Sequence, residues 1–174
     1  MADVILTDMH GNPAGTADVL AAHKGRGMLH KAFSIYIFDE GREQILIQRR
    51  SEKKMLWAGI WANSCCSHPR KEESPVAAGE RRLSEELGFT CALRESGSFV
   101  YRAEDPSGKG TEHEHVTLLV GMIPRTIEVA ADPNEVMEWK WIDIHELQKH
   151  MHQHMAKYAP WFHEGLPKVL AALR

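Results

Sequence analysis

Three cysteines in 174 residues are too few for a disulfide framework. Two of them, Cys65 and Cys66, are adjacent and the count is odd, which points to a reducing compartment. Long hydrophobic runs are missing as well. The best, Val116 to Ile123, falls far short of the about 18 residues that a membrane span needs. The opening residues, M-A-D-V-I-L-T-D, carry an acid where a secretory signal wants a base, so the expected location is cytoplasmic, with no membrane partner. Neither sign of charge is in excess. The 21 Lys+Arg against 24 Asp+Glu leave a formal charge of −3, which argues against a sequence-independent nucleic-acid binder. Repeats, low-complexity tracts and Pro/Gly/Ser linkers are absent too, and residues 1–174 are expected to form one domain. An apolar content of 43% excludes wholesale disorder.

What the chain does have in quantity is histidine, 11 in all, and that raises the question of a metal. The surrounding elements can be read from pattern. Ala32–Phe38 is β-branched and aromatic, a turn follows at 39–41, and Gln44–Gln48 completes a hairpin. Residues 51–60 read as a loop, and 61–68 as a short extended piece. A helix is predicted from an N-cap at Ser74, with Pro75 at its first position and Gly88 just past its end. Val76, Leu83 and Leu87 share its apolar face. Strands are predicted at 98–104, 112–123 and 138–143, and helices at 144–155 and 162–173, the last interrupted by Pro167. Mixed strands with few, separated helices suggest an α/β (α+β) sandwich.

Four groups of residues could carry chemistry. In C-S-H, period two puts Cys66 and His68 on one face of an extended segment, and Cys65 and Ser67 on the other. The same stretch could instead bury two cysteines as small hydrophobes. In E-H-E-H, Glu112 and Glu114 share a face, and the two carboxylates repel unless a cation or a shared proton intervenes. His113 and His115 are predicted to point away from them. His23 and His30 flank a glycine-containing loop and can converge only through it. Histidines with carboxylates form a mixed N/O set suited to Mn²⁺, Fe²⁺ or Zn²⁺. Last come the cations Arg49, Arg50, Lys53 and Lys54, then Arg81 and Arg82, whose forked and point-charge donors could clamp a diphosphate. Arg81 and Arg82 could equally form i,i+4 pairs with Glu85 and Glu86. The run His145, His150, His152, His154 has no matching carboxylates and reads as a solvated face.

The stretch S-H-P-R-K-E-E-S-P-V-A-A-G-E-R-R-L-S-E-E-L-G-F resembles a degenerate Nudix box, with Glu73 at its first acidic position. Ser67 replaces its leading glycine. Arg82 replaces a glutamate that Nudix hydrolases use, which counts against hydrolysis. A wider series resembles the type I isopentenyl-diphosphate isomerases: A-A-H-x6-H-x-A-F, R-R-S-E-K-K, W-A-N-S-C-C-S-H-P, Y-R-A-x-D-P-S-G, E-H-E and A-P-W, spread over residues 3–165. That resemblance implies a Nudix-like mixed β-sheet sandwich flanked by helices. It implies a five-ligand site for Mn²⁺ (or Zn²⁺) at His23, His30, His68, Glu112 and Glu114, and Mg²⁺ held at Glu86 with the substrate. It implies a small-molecule diphosphate gripped by Arg50, Lys54 and Arg82, and catalysis by Cys66, Glu114, Tyr101 and Trp161. Glu114 is the expected acid. Cys66 is the opposing acid/base, its thiolate favoured by the nearby metal and cations. A lysine that some members carry just before the first histidine is replaced by Val19 and Leu20.

Overall fold

The computed structural model describes residues 3–174. Its centre is β3 (His30–Asp39), whose H-K-A-F-S-I-Y-I-F-D pattern is almost wholly apolar because both of its faces are covered. Phe33, Ile35 and Ile37 face one core, which also holds Leu46, Leu119, Leu83 and Leu87. Ala32, Tyr36 and Phe38 face the other, with Val116, Leu118, Phe162, Leu166 and Val169. A sheet is thus packed between helices on its two sides, the expected sandwich.

Strand β8 (Thr111–Ile123) runs parallel to β3 along its full length, from His30↔Glu114 to Asp39↔Ile123. The other edge of β3 is shared in turn by β1 (Asp3–Thr7), β6 (Cys65–Ser67) and β4 (Gln44–Arg50). Outside these, β2 (Pro13–Asp18) pairs β1, β5 (Trp61–Ala62) and β9 (Val136–Asp143) pair β4, and β7 (Arg94–Glu104) pairs β8. The β1–β2 hairpin was not legible in the pattern of the first 18 residues. Strand β7 also begins earlier than its apolar residues suggest.

The extended piece predicted at 61–68 is broken in two, and its break is bonded on both sides. The amide of Ser64 donates to the Ile35 carbonyl (3.1 Å), its hydroxyl to Leu46 O (2.6 Å), and the same hydroxyl accepts from the Ile37 amide (2.8 Å). At that point the chain transfers from β4 to β3. Helix α1 (Val19–Ala22) is a single turn capped by Asp18. Helix α2 (Pro75–Leu87) starts and ends as predicted, with the Ser74 hydroxyl accepting from Ala77 N and Gly88 at φ +75°. A Cβ on Gly79 would sit 2.7 Å from Leu119 Cδ1, so this glycine sets how closely α2 approaches the sheet. Helix α3 (Ile144–Gln153) stops short of the predicted end, and a 3₁₀ turn, Met155–Lys157, leads to α4 (Pro160–Ala172). Pro167 lies inside α4 without ending it, a difference from the expected interruption. Three apolar anchors around it, Phe162, Leu166 and Val169, hold the helix to the core. No described helix is long and apolar enough to cross a membrane.

Candidate active site

The parallel register of β3 and β8 and the antiparallel register of β7 and β8 bring three of the candidate side chains together. His30, Glu114 and Tyr101 are direct cross-strand neighbours. Cys66 pairs with Ser34 on the opposite edge of β3. Ser34, Cys66, Tyr101 and Glu114 line a cavity of about 370 Å³, and His30 lies buried beside it. The cavity is also lined by His68, Glu112 and Trp161, with Arg50, Lys54, Arg82 and Glu135 among its cationic and acidic walls.

One corner of the cavity is a ligand cluster. His23, His30, His68, Glu112 and Glu114 offer one atom each, all within 4.8 Å of one another. Helix α1 and the loop after it deliver His23, and β3 begins at His30, so the glycine-containing loop does fold the two histidines together. Their Nδ1 atoms donate to the carbonyls of Val19 (2.6 Å) and Met28 (2.7 Å), which can only accept, so each Nε2 lone pair faces the cluster. His23 Nε2 stands 3.0 Å from Glu112 Oε2. Both atoms are acceptors in the neutral imidazole, so a proton or a cation must lie between them. Burial opposes charging His23, but the bond to Glu112 wins and raises its pKa to about 9. Burial and then the charge of Glu114 push the Glu112 carboxyl up to about 7. Burial also opposes ionising Glu114, yet the imidazoles of His30 and His68, 3.5 and 3.0 Å from its Oε1, hold it well below the usual carboxylate range. A buried cluster that takes up a proton to relieve its own repulsion suits a divalent cation. His113 and His115 face away as expected, His113 reaching Gly27 O at 3.3 Å.

The central wall sets a thiol beside a π face. Cys66 Sγ donates to Asn63 Oδ1 at 3.0 Å, and Trp161 Nε1 donates to the same oxygen at 3.0 Å. The Asn63 amide nitrogen donates to Ile35 O and Cys65 O, so its orientation is fixed. Tyr101 Oη donates to Glu114 Oε2 at 2.9 Å. Burial pushes the Cys66 thiol up to about 11, against the lowering influence of Ser34 and Arg50. In the metal-free protein the balance thus favours the proton on sulfur and a carboxylate at Glu114, the reverse of the charges that the resemblance implies with a metal bound. Burial outweighs the one nearby cation at the thiol, and two imidazoles outweigh burial at the carboxylate.

The cations sort themselves by position. Arg50, Lys54 and Arg82 line the cavity. Arg49 instead donates to Gly59 O (2.8 Å), Lys53 bonds Asn134 Oδ1 (2.5 Å), and Arg81 grips Glu73 with two bonds of 2.8 Å. Arg50 is oriented by the carbonyls of Trp57 and Leu56, both at 3.0 Å, and its guanidinium lies 5.3 Å from the Trp161 ring centroid. Glu86, 1% exposed, lies beneath Arg82, paired with it and bonded by Gln48 at 3.3 Å. Buried Arg82 Nε has no protein acceptor, an orphan donor that an entering anion could satisfy. Sequence reasoning missed Ser34, Asn63 and Glu135. Only Asn63 had a local signal, its place in N-S-C-C-S-H.

A curled mixed sheet with this cavity on one face is the architecture of the NUDIX domain, and the profile of that family matches residues 28–162. Solved structures agree on the fold: a Deinococcus radiodurans protein (TM-score 0.68, 17% identity, 87% of this chain and 89% of that one) and a MutT protein of Methanosarcina mazei (TM-score 0.66, 19% identity, 84% and 96%). Two relatives narrow the family. The isopentenyl-diphosphate Delta-isomerase of Halorhodospira halophila is 38% identical over 93% of this chain and 91% of its own length, and that of Burkholderia multivorans 41% over 94% and 93%. The chain belongs to the isopentenyl-diphosphate Delta-isomerases of the NUDIX superfamily.

Proposed function

We propose that the protein interconverts isopentenyl diphosphate and dimethylallyl diphosphate. A double bond moves by one carbon: a proton is added at the terminal methylene and another is removed from the carbon next to the one that bears the diphosphate-linked oxygen. The charge between these steps rests on a tertiary carbon. Such a cation is destroyed by water, so the reaction needs an acid and a base around a dry hydrocarbon pocket, with a π face at hand.

The observation that carries this reading is the placement of Cys66 and Glu114 on strands that flank the two edges of β3, both opening into one cavity under Trp161. The thiol and the carboxylate, one protonated and one not, can give and receive a proton and exchange those roles in the reverse direction. Tyr101 holds one Glu114 oxygen, and Asn63 holds the sulfur and the indole. Trp161 offers the strongest side-chain π face for a cation. Arg50, Lys54 and Arg82 anchor the diphosphate, which fixes the register of the carbon chain without entering the chemistry.

His23, His30, His68, Glu112 and Glu114 would hold a divalent ion such as Mn²⁺ or Zn²⁺; when bound, it supplies positive charge that fixes the charge state of Glu114. Glu86 is the residue toward which a substrate-borne Mg²⁺ would be drawn. Cytoplasmic location fits the three free thiols.

Incubating the purified protein with isopentenyl diphosphate and Mg²⁺ tests the reading. The acid-labile allylic diphosphate should form with no release of phosphate. Phosphate without isomer would overturn it in favour of hydrolysis, and neither product would leave only a metal-binding module.

A further inference from the structure

The cationic end of the cavity is already filled by the protein's own anion. Glu135 lies just before β9, and its carboxylate bridges the two halves of the clamp. One oxygen pairs with Lys54 Nζ and the other stands 3.3 Å from Arg82 Nη2. The backbone fixes it in place, because the Glu135 carbonyl accepts from Ser51 N (3.0 Å) and its amide donates to Asp132 O (3.0 Å). Arg82 is also paired with Glu85 (2.7 Å) and with Glu86. Lys54 and Arg82 are therefore both occupied by carboxylates, Glu135 being the one they share, while Arg50 is held by the carbonyls of Leu56 and Trp57. Yet Arg82 Nε, buried beside these pairs, still lacks an acceptor.

These facts pull in opposite directions for a ligand. The donors are arranged for a phosphate group, but a bare polyanion entering the seat between Lys54 and Arg82 must displace or repel Glu135. An anion that brings a divalent cation escapes this conflict, since the cation compensates the carboxylates and frees Lys54 and Arg82 for the phosphate oxygens. We infer that Glu135 is a specificity-determining residue, an internal counter-anion occupying the seat between Lys54 and Arg82, which makes the site select a metal-loaded diphosphate over free phosphates. This rests on the diphosphate reading of the cavity. It assigns Glu135 no part in the proton transfers.

Calorimetric titration with inorganic pyrophosphate, and separately with inorganic phosphate, tests it without any turnover. Wild type should bind pyrophosphate well with Mg²⁺ and poorly in EDTA. Glu135→Gln, at a side chain 25% exposed and so tolerant of the change, should bind metal-free pyrophosphate about tenfold more tightly and narrow the gap between the two conditions. Inorganic phosphate should gain affinity in the variant too. Glu135→Ala, checked by thermal melting, repeats the test without the amide. Lys54→Gln should weaken pyrophosphate binding in every condition. If Lys54→Gln had no effect, pyrophosphate would not be in the clamp, and the diphosphate reading would fall together with the inference. If Lys54→Gln weakened binding but both Glu135 variants behaved as wild type, or lost affinity without Mg²⁺, the clamp would stand and the role of Glu135 would be overturned.

Discussion

Cys65 and Cys66 are adjacent in sequence, but the pleat of β6 sends them to opposite sides of the sheet. Cys65 is fully buried against α2, and Cys66 opens into the cavity. Their replacement should separate chemistry from packing. Cys66→Ala is expected to cut kcat by about a thousandfold or more while the melting temperature stays close to wild type. Cys65→Ala should keep turnover and cost about 1 kcal/mol of stability from the small void it leaves. Paired steady-state kinetics and thermal melts check both; the opposite pattern would invert the face assignment. Period-two reasoning also separated Glu112 and Glu114 from His113 and His115 correctly, because strand alternation is a local property. The charges of these groups were not legible. They depend on burial and on partners that come from other strands, which is why burial favours the protonated thiol of the metal-free protein where a thiolate was expected.

Among the elements, α2 was the most readable, because its cap, proline and glycine all act within a few residues. A bond across its start was not foreseen. Arg81 holds Glu73 with two bonds of 2.8 Å, and the Arg70 amide adds a third at 2.9 Å. The Arg81 hydrogen bonds, partly opposed by burial, lower the Glu73 carboxyl to about 2. A carboxyl depressed in the folded state adds stability above its unfolded pKa, and that stability fades as pH falls through the folded one. Glu73→Gln should therefore melt lower than wild type at pH 7, by about 1–2 kcal/mol after discounting for solvent screening. The gap should shrink between about pH 5 and pH 2. Melting both metal-free proteins across that range is the check, and a constant gap would show that the ion pair contributes nothing. The break between β5 and β6 was invisible for the opposite reason: Asn63 and Ser64 satisfy the backbones of β3 and β4, which lie far away in sequence.

For the whole molecule, the ligand cluster ties α1, β3, β6 and β8 to one point, so a bound cation should stabilise the entire fold. Stripping it with a chelator should lower the melting temperature, and adding Mn²⁺ or Zn²⁺ should restore it, a linkage of about 3–4 kcal/mol at saturating metal. With its pKa raised to about 9, His23 of the metal-free protein carries a proton at neutral pH that the metal must displace. Metal affinity should therefore weaken as pH falls from about 9 to 6, and binding should release protons into a weakly buffered solution. A melting temperature indifferent to chelation would argue against the site.

The sequence alone determined which residues were available and how they alternate along strands and helices. Short-range sterics, capping and the pleat act within a few residues, so they can be read from spacing and composition. Those rules were enough for the sandwich of sheet and helices and for the separation of Cys66 from Cys65. The tertiary structure decided which charges survive and which groups share a cavity. Desolvation, ion pairing and strand register couple residues far apart in the chain: Glu135 with Lys54 and Arg82, and Asn63 with Cys66 and Trp161. No local pattern contains those distances.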